Sequence, residues 1–318
     1  FDACSMQSLE VEIPWTPSTA GNYNIYGKVE MLDDEYDINN RTANLNLWVN
    51  PAGVHAVTIG DGNQYAILPI DISKVNSLFQ TLYYPDEIGG TIGFINGLKL
   101  YSRFGDNPQN IPISIWLGTT TAADLSGGWI PATQLTPVFN GQVSFASGFQ
   151  TVNIPFREPY LYLGTANLVM MIYKHSPQIY NSFDYFRCQT LDDNRCLYVR
   201  SDTVYDPMSP PGNTSPTAQF PKTTLTVEVV DVGQISGSVT GENNQPLAGV
   251  RVSIDNGLHT TTTNDAGIYE LANVVVSTEP QTISFDLYGY YVHTQGFELE
   301  NGEQLTITTE NHILVRNQ

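Results

Sequence analysis

The sequence predicts an all-β protein built as tandem β-sandwiches. Three observations carry that expectation. Apolar and polar residues alternate with a period of two, as in TANLNLWVN (42–50), where Ala43, Leu45, Leu47 and Val49 share one face. Turn pairs punctuate the chain at Asp61-Gly62, Gly89-Gly90, Asn96-Gly97, Gly127-Gly128, Asn140-Gly141, Asn256-Gly257 and Asn301-Gly302, the dipeptides that tight hairpins favour. No segment holds a 3.6-residue apolar period beyond two turns; residues 71–80 (DISKVNSLFQ) fit either a short helix or a strand.

Taken in order, residues 1–54 hold about three strands, near 7–14, 22–32 and 42–50. Three strands cover one face at best, whereas an immunoglobulin-type sandwich uses about seven. This first domain is therefore expected to be partial, either lacking its N-terminal half or borrowing strands from a neighbour. Asn50-Pro51-Ala52-Gly53 marks its exit. In the second domain, 55–232, NLVMMIYK (167–174) is apolar on both faces, as in a central strand, and TTLTVEVVDV (223–232) alternates. Between them PMSPPGNTSPTAQFP (207–221) is too rich in proline for a ladder strand. A new pattern begins near Asp231-Val232-Gly233 and fills the third domain, 233–318, with strands in VRVSID (250–255), TISFDLYGY (282–290) and LTITTENHILVR (305–316). No internal repeat is visible.

Composition narrows the function classes. Hydrophobic residues make up 41% of the 318, enough for a packed core in each domain, and charged residues only 14%, below the usual quarter. The surface must then be built from Asn, Gln, Ser, Thr and Tyr, as in extracellular β-proteins. Net charge is -19. It is spread as 2 basic against 8 acidic residues in 1–54, 9 against 14 in 55–232 and 2 against 10 in 233–318. Nucleic acid is a poor partner for such a chain, and so is an anionic membrane. No run of 18 apolar residues predicts membrane insertion. The first residue is Phe, with no basic, apolar leader behind it, so a processed piece or a fragment is expected.

Cys188 and Cys196 flank an Asp-Asp-Asn turn in FRCQTLDDNRCLY. That spacing suggests a hairpin clamped by a disulfide; two buried free thiols are the alternative. Cys4 is left over. In the first domain, Asp33, Glu35, Asp37 and Asn39 concentrate oxygen donors in one loop, a candidate Ca2+ site. Ile38 stands where an EF-hand needs Gly, so the alternative is a solvated turn. Otherwise no cofactor is expected.

The sequence offers no catalytic constellation. It has no G-x-S-x-G elbow, and its histidines at 55, 175, 259, 293 and 312 are scattered. Asp86/Glu87 and Asp192/Asp193 are paired carboxylates of the kind glycosidases use, but both sit in turn contexts where acids are common. An exposed aromatic platform would serve a glycan. Trp129, which follows Gly127-Gly128, and Tyr180 are the candidates, while Trp116 lies in an alternating strand and fits the core. Asp202-Thr203-Val204 fits the Asp-Ser/Thr-apolar pattern of bacterial O-glycosylation at Thr203.

Three stretches carry resemblances. Trp15, Pro17, Gly21, Tyr23, Asn39 and Asn40 resemble the second half of CARDB-type Ig-like domains of prokaryotic surface proteins. Tyr83, Tyr84, Trp116, Gly118, Pro155, Phe156, Tyr160, Gly164, Asn167 and Leu168 resemble a jelly-roll module found in gingipain-type adhesin regions. Gly237, Val239, Pro246, Leu247, Gly249, Val252, Thr263, Asp265, Gly267 and Tyr269 resemble the carboxypeptidase regulatory-like domain, a transthyretin-like sandwich that is not itself catalytic. Together these resemblances imply a modular extracellular protein of a Gram-negative bacterium. Residues 233–318 contain no lysine, so the Lys–Asn isopeptide bond of related adhesin domains cannot form inside that module. The expectation is a partial Ig-like, a jelly-roll-like and a transthyretin-like sandwich acting as a non-enzymatic adhesion or scaffold protein at the cell surface. Its partners would be copies of itself or other surface proteins, with glycans a further option. The rival is an accessory substrate- or carbohydrate-binding part of a secreted peptidase or glycosidase.

Overall fold

Alternating runs become ladders where their apolar side meets a second sheet. The computed structural model describes residues 12–30, 40–42, 45–180, 184–212, 214–254 and 257–308. Among them there is no α-helix, only strands, loops and short 3-10 turns, and no helix long and apolar enough to cross a membrane. The chain forms two compact units, Phe1–Ala56 and Val57–Gln318.

In the first unit, β1 (Gly21–Ile25) and β2 (Leu45–Val49) pair antiparallel, from Gly21 opposite Val49 to Ile25 opposite Leu45. Trp15 meets Tyr23 edge-on at 5.0 Å, and the Tyr23 hydroxyl donates to the Thr19 carbonyl at 2.7 Å. Residues 12–17 carry no strand, so the strand expected near 7–14 is absent over its described part. Ile13, Trp15, Ile25, Tyr26 and Leu47 remain exposed.

The next strands are β3 (Val54–Ile59), β4 (Gln64–Ala66), β5 (Asn76–Tyr83), β6 (Gly93–Phe104), β7 (Ile111–Thr120), β8 (Thr136–Val143) and β9 (Gly148–Tyr162). They continue as β10 (Asn167–His175), β11 (Tyr185–Thr190), β12 (Cys196–Ser201), β13 (Gln219–Pro221) and β14 (Thr223–Val229). Five of them make a sheet in the order β12-β5-β10-β7-β8. The other sheet runs β13-β11-β6-β14-β3, with β4 added to β11 and β9 to β6. Phe79, Tyr83, Leu98, Leu100, Ile115, Met170, Ile172 and Leu225 belong to one buried core cluster drawn from both sheets.

The five-stranded sheet is buried on its outer side too. Leu78, Leu82, Trp116, Val169, Met171 and Leu197 form a second core with Leu125, Ala132 and Leu135 of the β7–β8 connection. Gln80 holds that cover. Its amide donates to the Ile130 carbonyl and accepts from the Ile130 N–H, both at 2.8 Å. This explains why NLVMMIYK is apolar on both faces. It also settles residues 71–80: the segment leads into β5, a strand buried at all eight positions.

Two expected turns are corrected. Asn96-Gly97 lies inside the twelve-residue β6, where the register shifts against both β9 and β14, so the glycine marks a bulge. Asn140-Gly141 lies inside β8.

The last strands are β15 (Val232–Ser238), β16 (Arg251–Ile254), β17 (His259–Thr262), β18 (Ile268–Val275), β19 (Gln281–Asp286), β20 (His293–Phe297) and β21 (Gln304–Thr306). They form a three-stranded sheet, β18-β15-β21, and a four-stranded one, β17-β16-β19-β20, around their own core of Ile235, Val252, Tyr269, Leu271, Ile283 and Phe285. Two motif stretches lock together here. Thr263 Oγ1 donates to the Leu247 carbonyl at 2.6 Å and accepts from the Val250 N–H at 2.9 Å. Asn264 Oδ1 accepts from the N–H groups of Ala266 and Ile268, around Gly267 at φ +72°. Tyr269 reaches across the core to donate to the Ile307 carbonyl at 2.7 Å.

Gly237, in β15, faces the Ile307 carbonyl so closely that an added methyl group would collide with it. Gly237→Ala is therefore expected to lower the unfolding free energy by about 3 kcal/mol, read as a shift of the urea midpoint at unchanged slope.

Candidate functional site

The acidic residues Asp33, Glu35, Asp37 and Asn39 lie outside the described residues, as does Cys4. Among the described residues no three His, Cys, Asp or Glu side chains converge as a metal site.

The cysteine hairpin is corrected. Cys188 lies on β11 opposite Pro221 and Gln64, whereas Cys196 lies on β12 opposite Thr81. The turn between them crosses from one sheet to the other, so the two strands are not paired with each other. Both thiols are free and buried. Cys196 Sγ contacts Thr81 Oγ1 at 3.2 Å, and Cys188 Sγ points to the Leu68 carbonyl at 3.6 Å. Burial pushes each thiol up to about 12, so neither is a nucleophile at neutral pH.

Trp129 is not an open platform. Its ring packs against the outer core, and its indole N–H donates to Thr214 Oγ1 at 2.9 Å. Tyr180 packs against the inner core and accepts from the Gln109 N–H. The two aromatic residues thus lean on opposite sides of the five-stranded sheet. Thr203 is exposed, as its modification would require, with its backbone fixed by Ser201 Oγ and Asn76 Nδ2.

One member of each carboxylate pair serves the same cation. The Arg195 guanidinium is buried, with Nη1 on both oxygens of Glu87 at 2.8 and 2.7 Å and Nε 2.8 Å from Asp193 Oδ2. It lies over the rings of Phe220 at 4.2 Å and Tyr84 at 4.9 Å. Glu87 also accepts from the Tyr84 N–H. The arrangement ties the β11–β12 turn to the 3-10 turn Pro85–Ile88 and leaves these carboxylates occupied.

A second polar cluster lies where β5 begins and β10 and β12 end. Asp71, fully buried, accepts from Ser73, Tyr198 and Arg200. Burial alone would push its carboxyl up; these hydrogen bonds outweigh burial and hold it below the ordinary range. Lys174 is wholly buried and donates to the carbonyls of Lys74 and Val75. Burial lowers its amine to about 8, against the pull of Asp71 and Asp202. Asn76 links His175, Tyr173 and Thr203 in the same network.

A face that the sequence did not reveal lies on the outer side of the seven-stranded sheet. The Arg103 guanidinium sits 5.5 Å from the Tyr65 ring and 5.3 Å from the Phe149 ring, with Arg187 6.0 Å from Phe149 and Lys222 5.1 Å from Tyr101. The ladder places Arg103 opposite Phe149 and Tyr185, and Arg187 opposite Tyr65. Residues 65, 103, 149, 187 and 222 are far apart in the chain, so no basic run announces the face.

Comparison with known proteins agrees with one of the modules. Residues 234–310 match the family model of the carboxypeptidase regulatory-like domain, a match confined to the C-terminal sandwich. No curated protein matches the chain. Among solved structures, the pilus 2b backbone protein of group B streptococcus is 13% identical, covering 83% of this chain and 93% of its own, at a TM-score of 0.22. Domains D2 and D3 of the major pilin SpaD from Corynebacterium diphtheriae are 10% identical, covering 76% and 93%, at 0.21. BcpA, the major pilin subunit of Bacillus cereus, is 11% identical, covering 77% and 66%, also at 0.21. At such TM-scores the backbones do not superimpose as whole chains.

Two outcomes are expected. Arg195→Ala leaves Glu87 and Asp193 without their shared cation and should cost about 3 kcal/mol in urea unfolding, whereas Lys74→Ala, at an exposed pair with Asp202, should cost well under 1 kcal/mol. Lys174 binds its proton less tightly folded, near pH 8, than unfolded, near 10.5. The unfolded chain therefore holds more protons between those values, and stability should rise with pH across that window. In Lys174→Met that rise should vanish from unfolding curves taken between pH 7.5 and 10.

Proposed function

We propose that the protein is a non-catalytic adhesion or scaffold component of a bacterial cell surface, working outside the cell. The observation that carries this reading is the direct succession of two sandwiches with separate cores, the second matched to a regulatory-like domain. β14 ends at Val229 and β15 starts at Val232. The two intervening residues are themselves tied down, with the Val230 N–H on the Ile92 carbonyl at 3.4 Å and the Asp231 carbonyl accepting from Val276 at 2.9 Å. Such a junction suits a load-bearing spacer. The polar clusters support the same reading, because their charges are spent on holding turns and strand ends together.

The first unit is read as part of an Ig-like sandwich of the CARDB kind, and the large module as akin to gingipain-type adhesin jelly rolls. The exposed apolar residues beside β1 and β2 support a sharper form, in which a second copy of this chain completes the two-stranded ribbon and successive copies build a filament or layer. Light scattering across a concentration series and negative-stain electron microscopy test this. Growth into dimers and longer chains is expected, weakened by Ile25→Asp. A strictly monomeric particle at every concentration would refute assembly.

A further inference from the structure

We propose that the outer face of the seven-stranded sheet binds a carboxylate-bearing sugar, with Arg103 and Arg187 on the carboxylate and Phe149 against the sugar ring. The assignment holds for a scaffold and for an accessory module alike.

Charge distribution is the first argument. Lys99, Arg103, Arg187 and Lys222 are four of the nine basic residues between 55 and 232, in a chain of net charge -19. Lys99 and Arg103 lie on the same side of β6 as Tyr101, and Lys222 reaches over the Tyr101 ring. None of the four makes an ion pair with a carboxylate among the described residues, although Lys28, Lys74, Arg195 and Arg200 all do.

Pre-organisation is the second. The guanidinium of Arg103 stands beside a pair of aromatic rings, 5.5 Å from Tyr65 and 5.3 Å from Phe149, whose centroids are 6.4 Å apart. Attraction to both rings restrains the side chain, and a guanidinium offers the fork that takes a carboxylate through two parallel hydrogen bonds. Phe149 is 62% exposed, so its ring is open to a sugar face.

Size and lining select the ligand. Tyr101, Phe149, Thr151, Arg187 and Lys222 are among the residues lining a shallow depression of about 290 Å³, room for one or two sugar rings, and Arg103 stands outside that lining, 5.3 Å from the Phe149 ring. Thr151 is exposed there, opposite Tyr101 in the ladder, and offers its hydroxyl to a sugar hydroxyl. Long polyanions are disfavoured, because beyond this face the chain's net field is negative. A sugar with a single carboxylate on a mostly neutral glycan meets the cations without meeting that field.

The test uses the full chain in calorimetry with oligosaccharides that end in glucuronic acid, against the same compounds carboxyl-reduced to glucose. Binding should be at least tenfold tighter for the acid, should weaken as salt rises from 50 to 500 mM, and should fall at least tenfold in R103Q/R187Q and several-fold in Phe149→Ala. Lys74→Gln should leave it unchanged, and all variants should melt within a few degrees of the parent. Equal binding of acid and reduced sugar, or undiminished binding in R103Q/R187Q, would overturn the assignment. So would tighter binding of a single-stranded oligodeoxynucleotide or a heparin-derived sulfated oligosaccharide, which would define a general polyanion site. If R103Q/R187Q instead abolishes self-association while sugars never bind, the face takes the acidic surface of a second copy and the sugar assignment is wrong.

Discussion

A sheet has two faces, and the five-stranded sheet of the large sandwich must cover both. Its inner face packs on the opposing sheet, which is ordinary. Its outer face is just as apolar over Leu78, Leu82, Trp116, Val169 and Met171. The β7–β8 connection therefore becomes a third layer. Trp129 belongs to that layer, which is why its indole is tethered to Thr214 and does not stand clear as a binding platform. The same demand buries β5 along its whole length and makes Gln80 a fastening for the cover, with both ends of its amide on the Ile130 backbone.

Around this core the ionised groups close on one another. Arg195 gathers Glu87 and Asp193 from two turns, and Asp71 gathers Ser73, Tyr198 and Arg200 from a strand start and a strand end. Removing a partner from such a cluster leaves a charge in a poor solvent, so each cluster fixes where its turn can lie. The seven-stranded sheet is the exception. Its cations rest on aromatic rings and face outward.

Much of the fold was legible because alternation and turn chemistry are local. β2, β10, β14, β16 and β19 fall within the stretches where the pattern places them, and the C-terminal motif was readable because Thr263, Asn264 and Gly267 act within a few residues of one another. Failures came where the decisive neighbour is distant. Asn96-Gly97 and Asn140-Gly141 look like turns, yet cross-strand partners carry the ladder through both. Cys188 and Cys196 are eight positions apart and look like a hairpin, but opposing sheets claim one each. The aromatic and basic face was invisible for the same reason, since β4, β6, β9, β11 and Lys222 between β13 and β14 all contribute to it.

The joint at Val230 and Asp231 has a mechanical meaning. Val230 is bonded to the large sandwich and Asp231 to the C-terminal one, so the joint between them is as short as two residues allow. A pull along the chain passes from a strand inside one sheet to a strand inside the next without first taking up slack. Whatever docks on one module thus stays within a short reach of the other, since no flexible linker lies between them.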